Sequence, residues 1–174
     1  MPNPAFSHAS QPSRATARRA SRDGMAFFEI QAVGTVRAAQ ADAWKVLSDY
    51  ERLPEFVPGL LTSKIVSRKD HVCLVEQESR AGFLFLSQRL RMQVRIEELP
   101  ASGIEVSLVS GDVRHYRAHW QLEALPDAAG TRVSLTAEIE PAIYLPPLFG
   151  IPIMQESMRQ MVQAVTAEIE RRAG

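Results

Sequence analysis

A chain of 174 residues, 45% hydrophobic and 23% charged, has the length to bury a core within one domain and the composition of an ordinary globular protein. Its formal net charge is zero, which removes any overall electrostatic case for a nucleic-acid partner, and no apolar run approaches the roughly 18 residues of a membrane-spanning helix. The single cysteine, Cys73, excludes an internal disulfide and reads as a small buried apolar side chain in a reducing compartment, so a cytoplasmic protein is expected.

Residues 1–24 are rich in Ser, Ala, Arg and Pro and lack apolar periodicity. They carry four arginines (Arg14, Arg18, Arg19, Arg22) against one acid, Asp23, a net +3 that leaves −3 on the remainder. This composition predicts a disordered tail over 1–24. It is Arg-rich, Ser-rich and acid-poor in the manner of an organelle transit peptide, and Met25, which opens the folded pattern, offers an alternative start. The folded domain is expected over 25–174.

From Ala26 to Val36 apolar and polar residues alternate, which predicts a half-buried strand. Ala39–Ser48 places Ala43, Trp44 and Leu47 on one helical face. Pro54 and Pro58 limit a second helix to a turn or two, and Leu53, Phe56, Val57 and Leu60 are too many apolar residues for a solvated loop. A meander of strands follows, with turns at Lys69-Asp70, Pro100–Gly103, Gly111-Asp112 and Pro126–Gly130. Leu90, Met92, Val94 and Ile96 alternate with Arg89, Arg91, Gln93 and Arg95. Tyr116, Ala118, Trp120 and Leu122 share a face against Arg117, His119 and Gln121, so His115 and His119 fall on the outer face. Within the last stretch, Tyr144–Arg172, Met154, Met158, Met161, Val162, Val165 and Ile169 recur at helical spacing. The fold class predicted is α+β: a curved antiparallel sheet of about seven strands, two short helices after the first strand, and one long C-terminal helix covering the apolar face. A Met-rich helix face suits an adaptable cavity wall and an ordinary core alike.

The run Ala43-Trp44-Lys45-Val46-Leu47-Ser48-Asp49-Tyr50-Glu51-Arg52-Leu53-Pro54-Glu55-Phe56-Val57-Pro58-Gly59 resembles the START-like superfamily, also called SRPBCC or helix-grip proteins. So do the aromatic strand Tyr116–Leu122 and the helix after Pro147-Leu148-Phe149-Gly150. Within the superfamily the first run is similar to the polyketide cyclase/dehydrase branch, with coenzyme Q-binding proteins and the bacterial ribosome-association toxin group nearby. The resemblance spans about residues 26–172. It implies a helix-grip fold with a cavity between sheet and last helix, commonly holding a lipid, an isoprenoid or a polycyclic aromatic molecule. One scaffold hosting many activities leaves function to the site.

The wall expected for such a cavity comprises Phe56, Val57, Leu60, Phe83, Phe85, Met92, Tyr116, Trp120, Met154, Met158 and Met161. Arg114, sharing parity with Tyr116 and Trp120, would orient a ligand headgroup as a lone charge in an apolar pocket. No phosphate-binding loop, dinucleotide fingerprint or nucleophile elbow occurs, so no catalytic set, metal site or cofactor is predicted. The leading expectation is a non-catalytic carrier of a hydrophobic small molecule, with the apolar segment Tyr144–Ile153 as a lid able to make transient membrane contact. A cyclase or dehydratase is the second reading, with Tyr116, Arg114 and Glu76 as its acid–base candidates. A ribosome-associated interaction protein using Arg89, Arg91 and Arg95 is the third. Nothing in the sequence sets an oligomeric state.

Overall fold

The computed structural model describes residues 13–83 and 86–174, with side chains described outside 81–87 and 127. In chain order it contains β1 (Arg14–Arg22), β2 (Met25–Val36), α1 (Gln40–Leu47), a 3-10 turn (Tyr50–Glu55) and β3 (Leu60–Lys69). There follow β4 (Val72–Phe83), β5 (Leu86–Leu99), β6 (Gly103–Gly111), β7 (Val113–Ala124), a short 3-10 turn (Pro126–Ala128), β8 (Thr131–Pro141) and α2 (Pro147–Ala173). The strands form one antiparallel sheet in the order β1-β2-β8-β7-β6-β5-β4-β3. The α+β architecture expected from the pattern, which is the helix-grip fold implied by the resemblance, is therefore present, with eight strands rather than about seven.

The additional strand corrects the reading of residues 14–22 as part of a disordered tail. β1 pairs with β2 along its full length, from Arg14↔Val33 to Arg22↔Met25. Asp23 (φ 53°) and Gly24 (φ 81°) both lie in the left-handed region, the geometry of a two-residue hairpin turn whose twist matches that of the strands it joins. The strand carries no apolar periodicity because its inward side chains are small, Ala15 and Ala17, with the buried Ser13 just before it. Its arginines find acids on the sheet. Arg18 pairs with Glu29 at 2.8 Å, Arg19 with Glu140 at 2.6 Å and Arg22 with Glu138 at 2.6 Å. Arg19 and Arg22 also lie over the rings of Phe28 and Phe27. The charge imbalance between the first 24 residues and the remainder is thus partly an internal pairing.

Inward alternation builds the core. Phe28, Ile30 and Ala32 of β2 stand beside Ile139, Ala137 and Leu135 of β8, and Tyr116, Ala118 and Trp120 of β7 complete the rows. α2 lies across this face and packs against β1, β2, β8 and α1. Its first turns can approach because residue 150 is glycine: a Cβ there would fall 2.3 Å from Cζ of Phe28. Among the described residues its backbone makes no comparable approach to β3–β7. The sheet is therefore gripped on one side, and on the other the helix faces it across side chains alone.

Candidate functional site

The inner surface divides into two ends. Towards the C-terminal half of α2, Cys73, Val75, Val94, Ile96, Trp120, Leu122, Val133 and Leu135 are buried, and the helix contributes Val162, Val165 and Ile169, also buried. Towards its N-terminal half, the corresponding residues are apolar but only partly buried: Met92, Tyr116, Ile139, Ile151 and Met154, with Leu60 at the start of β3, whereas Phe56 lies at the other end, its ring 5.7 Å from the guanidinium of Arg172 in the last turn of α2. Register brings this end together. Gln77 of β4 lies opposite Met92 and Ser63, Met92 lies opposite Gly111, and Tyr116 lies opposite Ile139.

Tyr116 identifies the open end most directly. Its phenol points to the inner face, burial pushes its pKa up to about 12, and among the described residues its hydroxyl has no hydrogen-bond partner. A side chain deep in the molecule that keeps accessible surface borders space rather than packed atoms. Among the described residues the one buried side-chain atom without a partner is Nη2 of Arg172, so the Tyr116 hydroxyl meets accessible space and is a polar handle at this end of the lining, with the hydrogen-bonded pair Gln77 and Ser63 as its polar neighbours beside Met92.

The expected wall residues distribute as follows. Phe56, Leu60, Met92, Tyr116, Met154 and Met161 are partly buried against the core, and Val57 and Met158 are buried. Trp120 belongs to the packed end, between Ile104 and Leu135. Arg114 is exposed, not inward. It is the extra residue of a bulge between Val113 and His115, which removes it from the alternation that parity assumed. The side chain of Phe83 and all of Phe85 lie outside the described residues, with Phe83↔Leu86 the last pairing of the β4–β5 hairpin. The acid–base candidates do not converge: Tyr116 faces inward, whereas Arg114 and Glu76 are exposed. Arg89 and Arg91 pair with Glu78 and Arg95 pairs with Glu97, so that basic row is largely neutralised.

A buried polar cluster closes the packed end. Tyr50 donates from its hydroxyl to Oε1 of Glu98 at 3.0 Å, and Arg68 donates from Nη1 to the same oxygen at 2.9 Å. The thiol of Cys73 lies 3.7 Å from it. Burial, reinforced by the Glu98 carboxylate, drives the Tyr50 phenol far above its ordinary range and raises the Cys73 thiol. Glu98 was legible as an inward residue, since it continues the parity of Val94 and Ile96, but its partners come from β3 and the 3-10 turn, which spacing along β5 does not reveal. His115 and His119 lie on the outer face as expected, beside Glu138 and Glu105. Among the described residues no group of His, Cys, Asp and Glu could hold a metal ion.

The rim of the open end is apolar. Ile143 (59% exposed), Tyr144 (76%), Leu148 (78%) and Phe149 (50%) stand on the surface in succession. A shallow groove of about 450 Å³ continues from Phe149 along Pro152, Ile153, Glu156, Ser157 and Gln160.

A family model described as polyketide cyclase/dehydrase and lipid transport matches residues 36–166. Similar solved structures include the ZhuI aromatase/cyclase from Streptomyces sp. R1128, 19% identical with a TM-score of 0.70, covering 84% of this chain and 95% of that one. A STAR-related lipid transfer protein from Xanthomonas axonopodis is 18% identical with a TM-score of 0.68, covering 92% and 95%. Human StAR-related lipid transfer protein 5 is 12% identical with a TM-score of 0.70, covering 94% and 84%. At these identities the likeness shows the fold. No curated protein matches the sequence.

Proposed function

The chain belongs to the polyketide cyclase/dehydrase and lipid transport family, and from that premise we propose that it is a non-catalytic carrier of a hydrophobic small molecule, held between the sheet and the N-terminal half of α2. A lipid, a quinone with its isoprenoid tail, or a polycyclic compound has the required chemistry. The observation that carries this reading is the change along the inner face from a fully buried end to an end lined by partly exposed Met, Leu and Ile around a phenol with no hydrogen-bond partner among the described residues. Apolar burial would drive binding at about 25 cal/mol per Å² removed from water, less the cost of ordering the ligand, and the Tyr116 hydroxyl would donate to a carbonyl or ether oxygen. Ile143, Tyr144, Leu148 and Phe149 would touch a bilayer while the ligand passes. No helix of the described chain is long and apolar enough to cross one.

Aromatase/cyclases are also among the similar solved structures, and the isolated Tyr116 hydroxyl is the feature that would suit a cyclase or dehydratase. The dispersal of Arg114 and Glu76 to the surface favours the carrier. Native mass spectrometry and solvent extraction of the purified protein test the proposal. A co-purifying apolar compound, displaced by a quinone or a fatty acid and bound more weakly by Met154→Glu, is expected. Absence of any such compound, together with no binding of quinone, fatty acid or polycyclic dye, would overturn it.

A further inference from the structure

We propose that the outer face of the sheet carries a second site, a groove that binds a phosphate group. The groove measures about 510 Å³ and is lined by Arg22, Arg95, Ser107, Arg117, His119 and Glu138, among others. It lies on the opposite face from α2, so it is separate from the space assigned to the hydrophobic ligand, and its test is independent of that reading.

Register builds the floor. Arg95 of β5 lies opposite Ser107 of β6, and Ser107 lies opposite Arg117 of β7. One row across three neighbouring strands thus reads Arg, Ser, Arg. With strands about 4.8 Å apart, two guanidinium groups flank one hydroxyl at a separation that lets both forks reach a single tetrahedral anion above it. Continuing the row, Glu138 of β8 stands next to Arg117 and would be its natural partner. Its carboxylate is already taken. Arg22 donates to Oε1 at 2.6 Å and to Oε2 at 3.3 Å, and His115 Nε2 is 2.9 Å from Oε2.

Arg117 is therefore left without an ion pair among the described residues although an acid is its immediate cross-strand neighbour. The hydroxyls of Ser107 and Thr136 likewise have no hydrogen-bond partner there. Arg95 is held only by Glu97, two residues along its own strand and about half exposed, a tie of small worth in water. Glu105, the acid that opens on this groove beside Glu138, is 3.7 Å from His119. The donors that remain uncommitted are the fork and hydroxyls that suit phosphate, whose several oxygens accept bidentate arginine bonds and a hydroxyl bond together. The pocket size suits a small molecule that bears the group.

The test is a titration of the full isotope-labelled chain with pyrophosphate, followed by amide and arginine Nε–H shifts. Saturable changes centred on Ser107, Arg117 and His119 are expected. Arg117→Gln, which removes no hydrogen bond or ion pair among the described residues, should weaken binding by about tenfold, the loss of one bidentate charge-assisted pair. Glu97→Gln should tighten it by releasing Arg95, and Arg89→Gln, outside the groove, should leave it unchanged. Vesicles containing phosphatidic acid separate two sources of the group: binding that depends on Arg117 supports a lipid headgroup in this site, and binding independent of Arg117, beside Arg117-dependent pyrophosphate binding, supports a soluble phosphorylated molecule. Shifts that do not saturate, or pyrophosphate binding unaffected by Arg117→Gln, would overturn the proposal.

Discussion

At the scale of single residues, two of the three tyrosines are held away from their ordinary ionisation. Burial raises the Tyr116 phenol to about 12, and burial with the nearby Glu98 carboxylate raises Tyr50 further. In the unfolded chain both would ionise near pH 10. Above that pH the unfolded state has released protons that the folded state retains, so folding stability is complete below pH 10 and falls as pH rises from 10 through 12. Urea midpoints measured at pH 9, 10 and 11 should therefore decline, and Tyr116→Phe should reduce the decline while leaving stability at pH 7 within about 0.5 kcal/mol, because no hydrogen bond is lost. A midpoint that stays level across this range, or a decline that Tyr116→Phe leaves intact, would show that the phenol is solvated and that the open end of the cavity is misplaced. The residue scale is also where parity arguments fail. Arg114 shares the parity of Tyr116, yet the bulge between Val113 and His115 puts it outside, and one inserted residue is invisible to a rule of alternation.

At the scale of elements, α2 serves two purposes along its length. Gly150 lets its first turns settle on Phe28, Ile151 and Met154 keep accessible surface, and from Val162 onward its inner face is buried core. The 3-10 turn is anchored to the sheet mainly through Tyr50. Its hydroxyl reaches Glu98 on β5, and Glu51 accepts from the Ile65 amide of β3 at 3.1 Å. Tyr50→Phe leaves the buried Glu98 carboxylate short of one donor, a loss of about 1–3 kcal/mol. The urea midpoint should fall with an unchanged denaturant slope, and the loss should shrink in a Glu98→Gln background, since the two residues are coupled. Additive losses would show that the Tyr50–Glu98 bond holds nothing in place. The order of elements and the two-sidedness of α2 were legible because long apolar periods at 2 and 3.6 residues survive any tertiary detail. The Tyr50–Glu98–Arg68 cluster was not, because hydrogen bonds between residues 30 and 48 positions apart follow from where strands are stacked, which periodicity does not state. Trp120 shows the same limit for the site: its inward direction was readable, but whether it met packed atoms or open space depended on how far along the sheet α2 descends.

At the scale of the whole molecule, the first strand is the feature on which sequence and structure part most clearly. Small inward residues and a high arginine content describe a solvated tail, and only Asp23-Gly24 signals the hairpin. In the folded chain β1 occupies one edge of the sheet, packs beneath α2 and places guanidinium groups over Phe27 and Phe28. A chain beginning at Met25 would leave β2 as the edge strand, remove the three ion pairs to Glu29, Glu138 and Glu140, and uncover one flank of α2. Partly exposed ion pairs contribute at most about 1 kcal/mol each and cation–π contacts about 0.5–1, so the combined loss should be about 3 kcal/mol, or about 6–12 °C in melting temperature for a domain of this size. Thermal melts of the full chain and of a chain starting at Met25 make the comparison, and a third chain starting at Pro12 keeps β1 while removing what precedes it. The expected order is a clear drop for the Met25 chain and none for the Pro12 chain. Equal melting temperatures for all three would mean that β1 adds nothing to the fold, and would restore the tail as the better description of residues 14–22. The released Glu138 gives the comparison a second readout. Without Arg22 that carboxylate is free to pair with Arg117 across the strand, so the Met25 chain should also lose its affinity for pyrophosphate.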